Sequence, residues 1–265
     1  MTGASGGATG LNREVFGATD KGLRRHHNED AFLVRDDLGL YAVADGMGGH
    51  AAGEVAADLA VREVERVVEA TRDLSGDTWP DDWDAELSLH GNRLCHAILA
   101  AHRKVTGAVI GDLGLKGMGA TVVAVLVDWE TGELTIAHVG DSRAYLSRPG
   151  ALELLTSDHS WVHEQVIAGL LSAEAARNHP LKNVVTRALG GSQEPTVDVA
   201  VRRLETGDRI LLCTDGLNTM LDDQEITALL WRQDDLSACA EQLILAANRK
   251  GGVDNITVIL LRALP

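Results

Sequence analysis

Four short segments, far apart in the chain, share one design: apolar residues that end in an aspartate followed by glycine, serine or asparagine. They are Tyr41-Ala-Val-Ala-Asp45-Gly46, Ala137-His-Val-Gly-Asp141-Ser142, Leu211-Leu-Cys-Thr-Asp215-Gly216 and Val253-Asp254-Asn255. A fifth acidic pair, Glu29-Asp30, stands directly before the apolar run at 31–35. A lone Asp-Gly is most often a turn, because both residues suit turn geometry. Repetition changes the reading. Strands that all end in a carboxylate present those carboxylates at one rim of a sheet, and neighbouring strands make them converge. Clustered carboxylates repel one another, so a cation must compensate them. Oxygen ligands without His or Cys select Mg²⁺, Mn²⁺ or Ca²⁺ over zinc. The glycine after Asp45 and after Asp215 lets the backbone turn tightly and exposes a carbonyl as a further ligand.

The intervening sequence predicts the scaffold. Strands are expected at 14–19, 31–35 and 39–44, then a long helix over 51–74 on the helical spacing of its apolar residues. Gly, Pro and Asp break the chain at 75–84, and a second long helix is expected over 84–109. Residues 119–127, β-branched and apolar, read as one buried strand, returning through a turn at 131–132 into 134–139. Further strands are expected at 142–147, 152–155, 196–202, 209–213 and 255–262. Helices are expected at 159–170, at 172–177 with Ser172 as N-cap, at 224–231 and at 236–249. Runs of strands separated by runs of helices predict an α+β fold. Aromatic residues are only 3% of the chain, so the core must be built from Ala, Val, Leu and Ile. Residues 1–12, rich in Gly, Ala, Ser and Thr, read as a flexible tail, and 13–265 as a single domain.

Several chemistries are set aside. A net charge of −15 repels nucleic acid and anionic membranes. No apolar stretch is long enough to cross a membrane, and no basic-then-apolar leader opens the chain. The three cysteines, Cys95, Cys213 and Cys239, are widely spaced, which fits a reducing compartment, with the cytoplasm as the expected location. A cysteine phosphatase needs an arginine six residues after its nucleophile; here those positions are Ala101, Thr219 and Leu245. Gly140-Asp141-Ser142-Arg143-Ala144 nearly matches a nucleophile elbow, but an elbow leads into a helix, and 145–147 reads as strand. There is no phosphate-binding G-x-x-x-x-G-K-[S/T] loop. His26 and His27 flank Arg25 and read as bystanders.

Six segments together are specific: Arg25-His-His-Asn-Glu29-Asp30, Ala44-Asp45-Gly46-Met-Gly-Gly-His-Ala-Ala-Gly53, Gly117-Met-Gly-Ala-Thr121, Val139-Gly-Asp141-Ser-Arg143, Thr214-Asp215-Gly216-Leu and Asp254-Asn255-Ile-Thr257. In this order, over nearly the whole chain, they resemble the PP2C (PPM) family of metal-dependent protein phosphatases, most closely its bacterial branch. The resemblance implies a central β-sandwich of two antiparallel sheets, flanked by helices on both faces. It implies hydrolysis of phosphoserine and phosphothreonine on proteins by a hydroxide bridging two Mg²⁺ or Mn²⁺ ions. In such an enzyme Asp45 bridges the ions, the Gly46 carbonyl ligates one, and Asp215 and Asp254 complete the other. Glu29 and Asp30 act through metal-bound waters. Arg25 grips the substrate phosphate, and Asn255 orients Asp254. Bacterial relatives hold a third, weaker ion on the equivalents of Asp141 and Asp215. Residues 158–187 resemble the flap of bacterial members, a helical insert beside the active site. Animal relatives carry a histidine soon after the bridging Asp-Gly; here Met47 follows Gly46, His50 is out of register, and the proton donor to the leaving group stays unassigned. The expected partners are phosphorylated proteins, a serine/threonine kinase or its targets, and the expected state is a monomer. A catalytically silent module on the same fold and a metallohydrolase acting on nucleotides or phosphodiesters are the alternatives.

Overall fold

Apolar runs without polar interruption imply strands covered on both faces, and the computed structural model, which describes residues 10–48, 52–79 and 83–265, has that arrangement. In chain order the elements are β1 (Asn12–Asp20), β2 (Asp30–Arg35), β3 (Leu40–Met47), α1 (Ala52–Ala70), α2 (Leu89–Gly111), β4 (Gly119–Ala120), β5 (Val122–Asp128), β6 (Glu133–Val139), β7 (Arg143–Arg148) and β8 (Ala151–Leu154). There follow α3 (Trp161–Ile167), α4 (Ala173–Arg177), β9 (Asp198–Arg203), β10 (Arg209–Cys213), α5 (Asp215–Asn218), α6 (Asp223–Leu230), α7 (Leu236–Arg249) and β11 (Ile256–Leu264). Residues 1–9 of the expected tail and His50 lie outside the described residues.

Two antiparallel sheets stack face to face. One has the order β1-β11-β10-β7-β8, the other β2-β3-β5-β6-β9, with β4 paired to β3. Alternation along each strand decides what faces what. Tyr41, Val43, Val123, Val125 and Ile136 point between the sheets and meet Leu146, Ile210, Leu212, Ile259 and Leu261. Their neighbours Leu40, Ala42, Ala44, Val122 and Ala124 point outward and pack under α1 and α2, where Ala56, Ala57 and Ala60 keep the helix close to the sheet. On the other outer face Leu211, Cys213 and Leu260 pack under α5, α6 and α7 through Leu217, Ile226, Leu230, Leu243 and Ala247. The result is the four-layer α-β-β-α sandwich that the resemblance implied, with its core made of small and branched aliphatics.

Three local readings change. The second helix begins at Leu89, because Ser88 caps it by accepting from Gly91 N at 3.1 Å, and Asn92 commits its side chain to the Asp84 backbone. The expected strand over 119–127 is interrupted at Thr121, whose N–H donates to the Asp45 carbonyl at 2.9 Å. The Asp215-Gly216 pair opens a short helix, α5, rather than a turn. Further from the rim, Arg93 reaches from α2 to the C-terminal end of α1 and donates to the carbonyls of Thr71, Arg72 and Leu74. Arg93→Met should therefore destabilise the protein by about 2 kcal/mol, read from urea unfolding, because buried carbonyls lose a charged donor.

A carboxylate cluster at one rim of the sandwich

Antiparallel pairing delivers the acidic residues to a single rim. Asp30 at the start of β2 sits opposite Asp45 near the end of β3. β6 ends at Val139 just before Asp141, and β10 ends at Cys213 just before Asp215. β11 begins at Ile256, two residues after Asp254. The two sheets are then tied across this rim by one carboxylate: Asp30 Oδ2 accepts from Thr214 Oγ1 at 2.8 Å and from Thr257 Oγ1 at 2.6 Å. Those threonines belong to the quoted motifs, but their role as holders of Asp30 was not read from the sequence. The available signal was a threonine placed just before Asp215 and three residues after Asp254.

The close packing is strict at two glycines. A Cβ on Gly46 would lie 2.0 Å from the Gly53 carbonyl oxygen, and one on Gly216 would lie 1.9 Å from the Asn255 carbonyl oxygen. Both sites exclude any side chain, which lets the backbone beside Asp45 and Asp215 run directly against neighbouring loops.

Electrostatically the rim is frustrated. Burial first, and then Asp215 and Asp254 outweighed in part by the threonine hydroxyls, pushes Asp30 up to about 7. Burial and the charges of Asp215 and Asp158 push Asp141 up to about 8. Burial and Asp254 push Asp215 up to about 6. Asp45, partly exposed yet densely surrounded, is held well above the usual carboxylate range by burial and by Asp30, Asp215, Asp141 and Asp254. Burial also raises Glu29, against the pull of Arg25. Asp30 Oδ1 and Asp215 Oδ1 are buried without a hydrogen-bond partner. Carboxylates that hold one another protonated, with orphaned oxygens, fit a site for hard divalent cations. Burial pushes the Cys213 thiol up to about 12, which removes it as a nucleophile.

The remaining expected residues surround the cluster. Arg25, half exposed, donates from Nη2 to Asp254 Oδ2 at 2.6 Å. Asp254 Oδ1 accepts from the Asn255 backbone N–H at 2.8 Å. The Asn255 side chain does something other than orient Asp254. It accepts from Glu29 N at 2.8 Å and donates to the carbonyls of Lys21 and His27, both at 2.9 Å, and so stitches down the loop that carries Arg25 and Glu29. Arg143, beside the cluster, makes a two-pronged pair with Asp158 at 2.8 and 2.6 Å. A cleft of about 500 Å³ opens from Asp141 and Asp215 between α5–α6 and residues 158–187, the expected flap. That segment contains α3 and α4 and is closed at its base by pairing of Ser160 with Val185.

The protein phosphatase 2C family profile matches residues 23–251. The serine/threonine phosphatase Stp of Listeria monocytogenes is 39% identical over 246 residues, covering 92% of this chain and 93% of that protein. The serine/threonine protein phosphatase PstP of Mycobacterium tuberculosis is 38% identical over 243 residues, 91% of this chain and 43% of that protein. Its crystal structure superposes with a TM-score of 0.83 at 34% identity, covering 96% of this chain and all (100%) of that one. The PstP catalytic domain in complex with 2 manganese ions gives a TM-score of 0.81 at 32% identity, over 96% and 100% of the two chains.

Proposed function

The chain belongs to the protein phosphatase 2C family, and on that premise we propose how its own residues divide the work. It is a metal-dependent serine/threonine protein phosphatase that hydrolyses phosphoprotein monoesters. The observation that carries the residue assignment is the convergence of Asp30, Asp45, Asp141, Asp215 and Asp254 on one rim, mutually repelling and with buried oxygens unpaired.

In this reading Asp45, the Gly46 carbonyl, Asp215 and Asp254 would hold two Mn²⁺ or Mg²⁺ ions, and Asp141 with Asp215 would hold a third. Glu29 and Asp30 would act through water. When bound, the ions supply Lewis acidity to the phosphoryl oxygens and to the attacking water. The protein's own part is positional. Thr214 and Thr257 hold one oxygen of Asp30 and leave the other free to accept a proton. Arg25, half exposed beside Asp254, offers a planar fork to the tetrahedral substrate dianion. The cleft beside the flap receives the polypeptide that carries the phosphate. We extend the reading to a monomeric cytoplasmic enzyme working opposite a serine/threonine kinase. Free cysteines and the absence, among the described residues, of a helix long and apolar enough to cross a membrane are compatible with it.

The test is phosphate release from a phosphothreonine peptide, with Mn²⁺ and with the metal chelated, alongside a phosphotyrosine peptide. Metal-dependent release favouring phosphothreonine is the expected outcome; equal release after chelation would overturn the metal site.

A second expectation concerns stability. Asp30, Asp141 and Asp215 bind protons more tightly in the folded chain than in the unfolded one, with values near 7, 8 and 6. Without divalent ions, stability should fall as pH rises from the unfolded carboxylate range through that window. Divalent ions compete with those protons, so their stabilising effect should grow over the same window. At about 100 times its dissociation constant Mn²⁺ should raise Tm by roughly 5–10 °C at pH 8, and by much less at pH 5.5. Scanning calorimetry reads this directly, and a shift independent of pH would contradict the carboxylate assignment.

A further inference from the structure

Asp141 stands in a turn that needs support. Gly140 before it has φ +111, and a Cβ there would lie 2.4 Å from Thr121 Cβ, so the turn is packed hard against the residue whose N–H holds the Asp45 carbonyl. Its other support comes from one buried side chain, His159. The His159 N–H donates to the Gly140 carbonyl at 3.0 Å, and the Gly140 N–H donates to His159 Nδ1 at 3.1 Å, so backbone and ring grip the two peptide units that flank the Gly140 Cα. With Nδ1 accepting, the ring proton belongs on Nε2. There it faces Asp198 Oδ2 at 3.3 Å. Arg187 completes the group through Asp198, donating from Nη1 to its Oδ1 at 3.0 Å; its 3.1 Å approach to His159 Nε2 sets donor against donor in this tautomer and is no hydrogen bond. The ring also stacks on His138 of β6, with centroids 4.7 Å apart at 20°.

His138, His159 and Asp198 have the donor spacing of a metal site, all three within 4.8 Å of one another. The hydrogen bonds argue otherwise. A metal on His159 Nε2 would force the ring proton onto Nδ1, where the Gly140 N–H already points, and the Arg187 guanidinium already compensates Asp198. His138 Nε2 is engaged with the Ser157 backbone, 2.9 Å from its carbonyl oxygen.

The placement along the chain gives the cluster its meaning. His159 and Arg187 are the two roots of the flap, and the His159 carbonyl accepts from Thr186 N at 2.8 Å. We propose that His159 is a positioning residue, braced by Asp198, which Arg187 in turn holds, and that it sets the Asp141 carboxylate and the base of the flap as one unit. Metal occupancy at Asp141 and seating of the flap are thereby coupled. The inference rests on the reading of Asp141 as a metal ligand.

The test compares Mn²⁺ binding by calorimetry and steady-state kinetics in the wild type, Asp141→Ala, His159→Gln, His159→Asn and Asp198→Asn. Asp141→Ala identifies the binding event that depends on this carboxylate. His159→Gln, which removes the acceptor for Gly140, should weaken that event by about 10-fold or more, raise KM for a phosphothreonine peptide, and leave the remaining Mn²⁺ binding unchanged. His159→Asn keeps an acceptor close to the Nδ1 position and should recover most of the binding, which a merely structural histidine would not predict. Asp198→Asn, at a partly exposed position, should fold normally and shift the same event in the same direction by a smaller factor, with faster proteolysis within 158–187. A normal Asp141-dependent event in both His159→Gln and Asp198→Asn, or equal defects in His159→Gln and His159→Asn, would overturn the brace while Asp141→Ala stays defective. An unchanged isotherm in Asp141→Ala would instead overturn the ligand reading, and the brace with it.

Discussion

Asp45→Asn should lower kcat/KM toward phosphothreonine peptides by about 10³-fold or more in a protein that remains folded. The substitution preserves shape and removes the charge at the most crowded point of the rim, where Asp30, Asp215, Asp141 and Asp254 all push the carboxyl toward protonation. The same electrostatics predict an opposite effect on the metal-free protein. A neutral amide relieves repulsion, so metal-free Asp45→Asn should be at least as stable as wild type above pH 7, and its Tm should respond little to Mn²⁺. Loss of activity with gain of metal-free stability is a signature that a damaged fold cannot give. Near-wild-type turnover would remove Asp45 from the mechanism.

Asn255→Ala should have the second largest effect, and on both stability and rate. Its side chain is buried and makes three hydrogen bonds to the backbone of Lys21, His27 and Glu29. Truncation strands those groups, at a cost of about 2–4 kcal/mol. It also frees the loop bearing Arg25 and Glu29, which should lower kcat/KM by about 10–100-fold. Asn255→Asp separates the parts: it still accepts from Glu29 N but sets a carboxylate against two carbonyl oxygens, so it should be no more stable than the alanine variant. Urea unfolding and peptide kinetics on the two variants read both effects. If either variant kept wild-type stability, the stitching role would be lost.

The aspartates were legible because each signal is local. An apolar β run and the acid that ends it lie within a few residues, and charge repulsion supplies the reason for a cation without any knowledge of the fold. The helices α1, α6 and α7 were legible for the same reason, through apolar spacing, and Ser172, read as an N-cap, does cap α4 by accepting from Ala175 N. Where the readings slipped, a distant partner had intervened. The interruption of 119–127 at Thr121 is decided by the carbonyl of Asp45. The short helix at Asp215 is decided by packing of Leu217 into the layer under β10 and β11. The Asn255 side chain was read toward its neighbour Asp254, while the loop it holds lies more than two hundred residues earlier in the chain, as in its bond to His27 across 228 positions.

The chain's sequence by itself determined which side chains could hold hard cations, where strands stop, and that no cysteine could replace the metal, because residue chemistry and short-range periodicity need no partner. Only the tertiary structure decided how those side chains are held. Asp30 is fixed by threonines 184 and 227 positions away, on the opposite sheet. Asp141 is steadied through a histidine whose own brace comes from Asp198 of β9, held in turn by the far root of the flap. Hydrogen bonds depend on distances of a few ångströms, and until two sheets have paired and stacked, nothing in the order of residues says which donors will come that close.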